Sequence, residues 1–252
     1  MYDLAKLTLQ NITEIGIALR GFGKDADSLE AVANRCVRYF YNNLIDPTTG
    51  QSACVLARFF KTHPYAALPA SLQNYARELV TSSEDLPADL KCLSLFATQG
   101  EYPQWCDRHT SNGHQVIPLT SKSGVSQIPM ISQLIKSFGL DINDVIAPDP
   151  KLLIAIEQKT CNVFYIPIAT GSQHIPAQDE FVKPYSVKSV LGFGGMLPSG
   201  NLFAVILFSK VAIPEDTARL FKTLPLSIKM AIIPFETKDP FQSQSADSLQ
   251  TA

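Results

Sequence analysis

This sequence of 252 residues has no Cys-x-x-Cys pair, no cluster of basic residues and no long apolar run. Each absence removes a class of protein. Five cysteines stand far apart, at Cys36, Cys54, Cys92, Cys106 and Cys161. An odd, scattered set is neither a disulfide framework nor a zinc knuckle, so all five are expected to be reduced thiols, mostly buried. Lys and Arg number 21 against 23 Asp and Glu, spread along the chain, which argues against a phosphate-binding face and hence against nucleic acid as a partner. The longest apolar stretch, Leu202 to Phe208, is far too short to span a bilayer. Asp3, Lys6 and Asn11 interrupt the N-terminus, where a secretory signal would need an apolar core. A cytoplasmic protein without membrane contact is expected.

What is present is an ordinary globular composition, 46% hydrophobic and 17% charged, with enough chain to bury a sizeable core. Ile12, Ile15, Leu19 and Phe22 recur at helical steps, with Gly21 and Gly23 as terminators. Asp27 with Glu30 has capping-box spacing ahead of a second helix with Leu29, Val32, Ala33, Cys36, Phe40 and Leu44 on one face. Asp46 to Gly50 reads as a turn. Strands are expected at Cys54–Phe60, Lys91–Thr98 and Cys161–Ile166. Helices are expected at Ser71–Thr81, at Met130–Phe138, and from Asp149-Pro150 through Lys159. Between Gln99 and Thr120 the chain reads as irregular and polar, and it carries the only tryptophan, Trp105.

The sharpest unit is Lys188 to Lys210. Two strand-like runs flank Pro198-Ser199-Gly200-Asn201, where proline presets φ and glycine tolerates positive φ. An antiparallel hairpin follows, and its unbroken apolar arms imply that both faces of its sheet are covered. Pro214 opens a last helix with Leu220, Phe221, Leu224, Ile228 and Ile232 on one side, and Pro225 is expected to kink it. Past Phe235 the chain turns polar, as a tail or linker does.

The run Val187-Lys188-Ser189-Val190-Leu191-Gly192, the Gly200 turn, Leu202 to Ser209 and the proline-led helix resemble the C-terminal half of a GAF domain. The helix from Asp27 and the strand from Cys54 fit that family's opening half. The resemblance implies an α+β fold with a central antiparallel sheet flanked by helices. On this division 1–24 is an N-terminal helix, 25–235 the GAF-like domain and 236–252 a polar tail. The segment 101–185 is longer than the usual counterpart and enlarges the ligand side. The resemblance also implies bacterial signalling of the two-component kind, in which such segments precede PAS and histidine-kinase modules. This sequence has no phosphoacceptor helix and no ATP lid, so any output falls to another segment or partner, and the chain is read as no enzyme.

Gly192, Gly194 and Gly195 lack the third glycine of a dinucleotide loop, because position 197 is Leu197, so they read as a β-bulge or close backbone packing. Cys106, His109 and His114 lack an identifiable fourth ligand, so they read as hydrogen-bonded or solvated loop residues. No cysteine is followed by histidine, as bilin attachment in GAF domains requires. Asp179-Glu180 has Ile175 where the cyclic-nucleotide signature has Phe. No cofactor is expected. A cysteine-dependent reductase of GAF fold, acting through Cys92, Cys106 or Cys161, is a minor alternative, against which Cys92 reads as buried and inert.

The leading expectation is a sensory domain with a small-molecule pocket between the sheet and segment 101–185. Aromatic and imidazole groups beside a sheet suit such a ligand, which nominates Trp105, His114, Tyr165, His174, Phe181 and Tyr185. The rival is a ligand-free scaffold that dimerises and positions an output module. In either case the stripe Ile12, Ile15, Leu19 and Phe22 is expected to contribute to a homodimer.

Overall fold

The computed structural model describes residues 1–80, 85–111, 113–151, 162–238 and 241. Two long strands in the first half of the chain and a hairpin near its end carry apolar residues on both sides and must bury both faces, and this requirement sets the architecture. Strands β3 (Cys54–Pro64), β4 (Lys91–Gly100), β5 (Val116–Pro118), β6 (Val163–Ile166), β7 (Ser189–Met196) and β8 (Leu202–Ser209) form one sheet. Its order is β5-β4-β3-β8-β7-β6 and every pairing is antiparallel. A separate parallel pair joins β1 (Tyr2–Asp3) to β2 (Leu44–Ile45). The expected hairpin is β7 and β8, in register from Ser189 opposite Ser209 to Met196 opposite Leu202. Gly200 closes it at φ +74°, and Leu197 and Asn201 pair across the turn. The sheet, its hairpin and the amphipathic helix behind it stand as the GAF resemblance implies.

Strand order explains which face the long middle segment covers. The chain runs outward from β3 to the β5 edge, then has to reach β6 at the opposite edge before returning through β7 to β8. That crossing lays α4 (Lys122–Ser126), α5 (Pro129–Ser137) and α6 (Ile142–Ile146) over one face. There Phe60, Leu95, Phe164 and Ile206 meet Leu134, Ile135 and Phe138. On the other face Phe59, Phe193, Phe203 and Val205 meet α1 (Leu9–Gly21), α2 (Leu29–Asn43) and the last helices. Both faces are therefore buried, as the unbroken apolar arms require. The helix α3 (Ala70–Leu79) packs beside β5.

Several local expectations change. Ser28, not Asp27, caps α2, its hydroxyl accepting from the Ala31 N–H. Glu30 forms a buried ion pair with Arg108 at 2.6 Å. Pro225 does not kink a continuous helix. It sits in the first turn of α8 (Leu224–Ile232), and a 3₁₀ turn at Phe221–Thr223 separates α8 from α7 (Glu215–Leu220). Proline is tolerated there because the N–H it lacks has no partner in a first turn. The polar stretch after Gln99 contains β5, and α4 and α6 are additional short helices too brief for a periodic signal. Gly192 and Gly194 lie in regular pairing, so close packing rather than a bulge explains them. A Cβ at Gly194 would stand 2.1 Å from the Phe203 carbonyl oxygen.

The dimer argument needs a larger correction. Ile12, Ile15 and Leu19 are buried inside this chain, packed with Leu224, Ile228 and Ile232 of α8. Gly16 and Gly23 let the two helices approach, with Gly23 against the Ala231 backbone. The stripe is core. The exposed apolar residues of these helices are others, Leu9 and Ile17 on α1 and Leu226 and Met230 on α8. Among the described residues no helix is long and apolar enough to cross a membrane. Thr81, residues 152–159 of the helix expected from Asp149-Pro150, Cys161 and the tail from 242 lie outside the described residues, and Pro150 and Lys151 form a turn rather than the helix's start.

Candidate functional site

Between the β3–β8 centre of the sheet and the crossing segment lies a cavity of about 400 Å³. The sheet contributes Leu56, Arg58 and Phe60 from β3 and Phe208 from β8. The far wall is Trp105, Phe181, the start of α5 with its cap (Ile128 to Ile131) and the loop residues Ile175 to Ala177. A second, more open hollow of about 550 Å³ lies alongside, under Tyr75 and Leu79 of α3, and shares His114, Ile117 and Ile128 with the first.

The aromatic wall is a connected set. Trp105 meets Tyr185 edge-on at 4.8 Å and Phe181 at 5.7 Å, and Phe181 meets Phe208 at 5.0 Å. Edge-to-face geometry of this kind fixes ring orientation and adds to the stability from area burial. The ring of Phe181 is positioned by an irregular turn of π type at Gln178–Val182, where Val182 accepts the fold's inward position. Gln178 anchors that turn, its amide donating to the carbonyls of Ala169 and Ile175 and its oxygen accepting from Gly171 N–H.

One charged group is buried in this wall. Arg58 is 8% exposed and its Nη2 donates to Ser111 Oγ at 2.9 Å. Its Nε has no partner. Burial pulls the guanidinium down to about 10, still charged at neutral pH. His114 adjoins it on a loop in which Gly113 has φ +74° and His114 itself φ +57°. His114 is exposed, and desolvation first and the Arg58 charge second hold its pKa below the ordinary imidazole value.

Of the six residues nominated from sequence, Trp105, His114 and Phe181 line the cavity. Tyr185 stands behind Trp105 and Phe181 as a ring contact. His174 is next to the lining residue Ile175 without lining the cavity itself. Tyr165 is on the opposite face of the sheet, because β6 alternates and Phe164 takes the cavity side. Its hydroxyl donates to the Ile213 carbonyl. Arg58, Ser111, Phe60 and Phe208 were not nominated. A lone arginine within the apolar run Cys54–Phe60 was the available signal for the first.

None of the four described cysteines lines the cavity. Cys36, Cys54 and Cys92 are buried free thiols, and burial pushes Cys92 and Cys54 up to about 12. Cys106 is a half-buried free thiol hydrogen-bonded to the Gly100 carbonyl. Among the described residues no three His, Cys, Asp or Glu side chains converge as a metal site.

A second polar cluster lies on the helical face. Lys61, fully buried, pairs with Glu236 at 2.8 Å and stands 3.0 Å from Nε2 of His63. Phe96 and Phe241 stack on each other at 4.6 Å beside the His63 ring. Arg108 lies over Phe241 and pairs with Glu30, so the loop carrying Trp105 and Ser111 also reaches helix α2.

No family model and no curated protein matches the sequence. Two solved structures are similar over nearly the whole chain. One is described as the structure of the GAF domain, at 12% identity over 92% of each chain with a TM-score of 0.44. The other is the phycoerythrobilin-bound GAF domain from a cyanobacterial phytochrome, at 10% identity over 91% of this chain and 96% of that one, with a TM-score of 0.40.

Proposed function

We propose that this chain is a sensory input domain that binds a small organic molecule and passes the event to an output module through its terminal helices. The observation that carries the reading is the aromatic-walled cavity between sheet and crossing segment. Its volume of about 400 Å³ is in the range that small-molecule sites occupy. Transmission has a physical route. The loop Gln104 to Ser111 lines the cavity through Trp105, holds the lining residue Arg58 through Ser111, and touches α2 through the buried Arg108–Glu30 pair. A ligand that moves the loop therefore strains an ion pair on the helical face, and a packed interior passes such shifts on. Under this reading the chain performs no catalysis, and a histidine kinase or comparable output module acts downstream.

A homodimer belongs to the same proposal. The outward residues Leu9 and Ile17 on α1 and Leu226 and Met230 on α8 offer apolar contacts to a second copy. The ligand-free scaffold would share that dimer and differ only in leaving the cavity empty. Native mass spectrometry of the chain purified from cells separates the two. A bound small molecule released on denaturation is expected. A mass equal to the polypeptide alone, together with no response to a broad metabolite library by thermal shift, would favour the scaffold.

A further inference from the structure

The cavity presents one charge to an otherwise apolar interior. Arg58 stands on the central strand β3, is 8% exposed, lines the cavity with Phe60, Trp105 and His114, and donates from Nη2 to Ser111 Oγ. Removing a cation from water costs several kcal/mol unless an anion or a full set of acceptors replaces the solvent, by roughly that order of magnitude. The other deeply buried cations near it have such partners. Arg108 is held by both oxygens of Glu30, and Lys61 by Glu236. Arg58 has one hydroxyl, and no carboxylate lies within ion-pair distance of it among the described residues. The nearest carboxylate in the cavity lining is Glu180, which is exposed at the rim.

We propose that the cavity takes a small organic monocarboxylate, with its apolar body against the aromatic wall and its carboxylate on Arg58. The inference rests on the cavity being a ligand site, as proposed above. A guanidinium fork matches a carboxylate through two parallel N–H donors; Nε is sealed from open space, but among the described residues Nη1 has no acceptor and Nη2 spends one of its two hydrogens on Ser111, which leaves the Nη1–Nη2 edge as such a pair. A single buried cation balances a single negative charge. A phosphate dianion would leave one charge uncompensated in an apolar wall, with Glu180 at the rim opposing it further. Trp105, Phe60, Phe181 and Phe208 give the body of the ligand flat apolar surfaces. Unliganded, the protein bears the cost of the unpaired charge, and the ligand relieves it.

Trp105 is the only tryptophan, so fluorescence excited selectively at tryptophan reports on this wall alone. The test titrates the full chain with 4-phenylbutyrate and octanoate, each against its neutral primary amide and against phenyl phosphate, by fluorescence and calorimetry. At least one carboxylate is expected to bind tenfold or more tightly than its amide and than phenyl phosphate. In Arg58→Met that preference is expected to vanish, while the thermal midpoint of the unliganded protein rises because the buried charge is gone. Arg58→Lys, which keeps the charge and loses the fork, serves if the Met variant fails to fold, and it is expected to lose most of the preference. Equal binding of acids and amides by the unaltered chain would overturn the carboxylate assignment and leave the cavity reading standing. No binding of any of these compounds up to millimolar concentration would overturn both. Preference for the acids that survives in both Arg58 variants would show that the anion sits elsewhere.

Discussion

His63 shows how a single side chain ties stability to pH. Its ring is tilted against Phe96 and Phe241, with Lys61 Nζ at 3.0 Å from Nε2, so burial first and the Lys61 charge second pull it down to about 3. In the unfolded chain it titrates near 6.5. Between those values the unfolded state takes up a proton that the folded state refuses. Stability is therefore complete above about 6.5 and falls as pH drops toward 3, by up to about 1.4 kcal/mol per pH unit from this group. His63→Phe keeps the ring packing and is expected to flatten the stability profile between pH 6.5 and 4. Urea denaturation at several pH values reads this, and a profile that the substitution leaves unchanged would refute the assignment. Gly194 makes a purely steric case at the same scale. With the Phe203 carbonyl 2.1 Å from where a Cβ would stand, Gly194→Ala forces β7 and β8 apart. A loss of about 2–4 kcal/mol is expected by denaturant melting, the size associated with backbone displacement in a packed core. A loss below 0.5 kcal/mol would mean that the hairpin yields easily.

At the scale of elements, the first and last helices show why periodicity finds a stripe but not its partner. The stripe Ile12, Ile15 and Leu19 is legible in sequence, yet the same pattern suits a second copy, the sheet or another helix of the same chain. Gly16 and Gly23 decide the matter, since a helix can approach α8 closely only where side chains are missing. Ile15→Ser is accordingly expected to cost about 2–5 kcal/mol of stability, as large-to-polar core substitutions do. Ile17→Glu, on the exposed side, is expected to stay within about 0.5 kcal/mol of the parent. Paired with Met230→Glu it should shift the protein toward monomer in sedimentation. A parent chain that sediments as a monomer at high micromolar concentration would remove the dimer from the proposal. Pro225 makes the companion point: proline marks a discontinuity in sequence, and only the 3₁₀ turn before it reveals a break with a fresh start.

At the scale of the whole molecule, the sequence by itself determined the α+β class, the hairpin with its Gly200 turn, the helices at α1, α2 and α5, and the burial of both sheet faces. These follow from local rules, because apolar period, turn residues and caps act over a few residues. It also placed Trp105, His114 and Phe181 in the segment that lines the cavity. What only the tertiary structure decided is which groups meet across the sheet. Tyr165 and Phe164 are neighbours in sequence and stand on opposite faces, a choice fixed by the register of β6 on β7. Glu30 offered itself as a cap and found Arg108, 78 positions away, because the loop after β4 folds back over α2. Arg58 looked like one charge in an apolar strand. The crossing from the β5 edge to the β6 edge turned it into the buried cation of a cavity, since strand order, which no local pattern encodes, sets where that segment must pass.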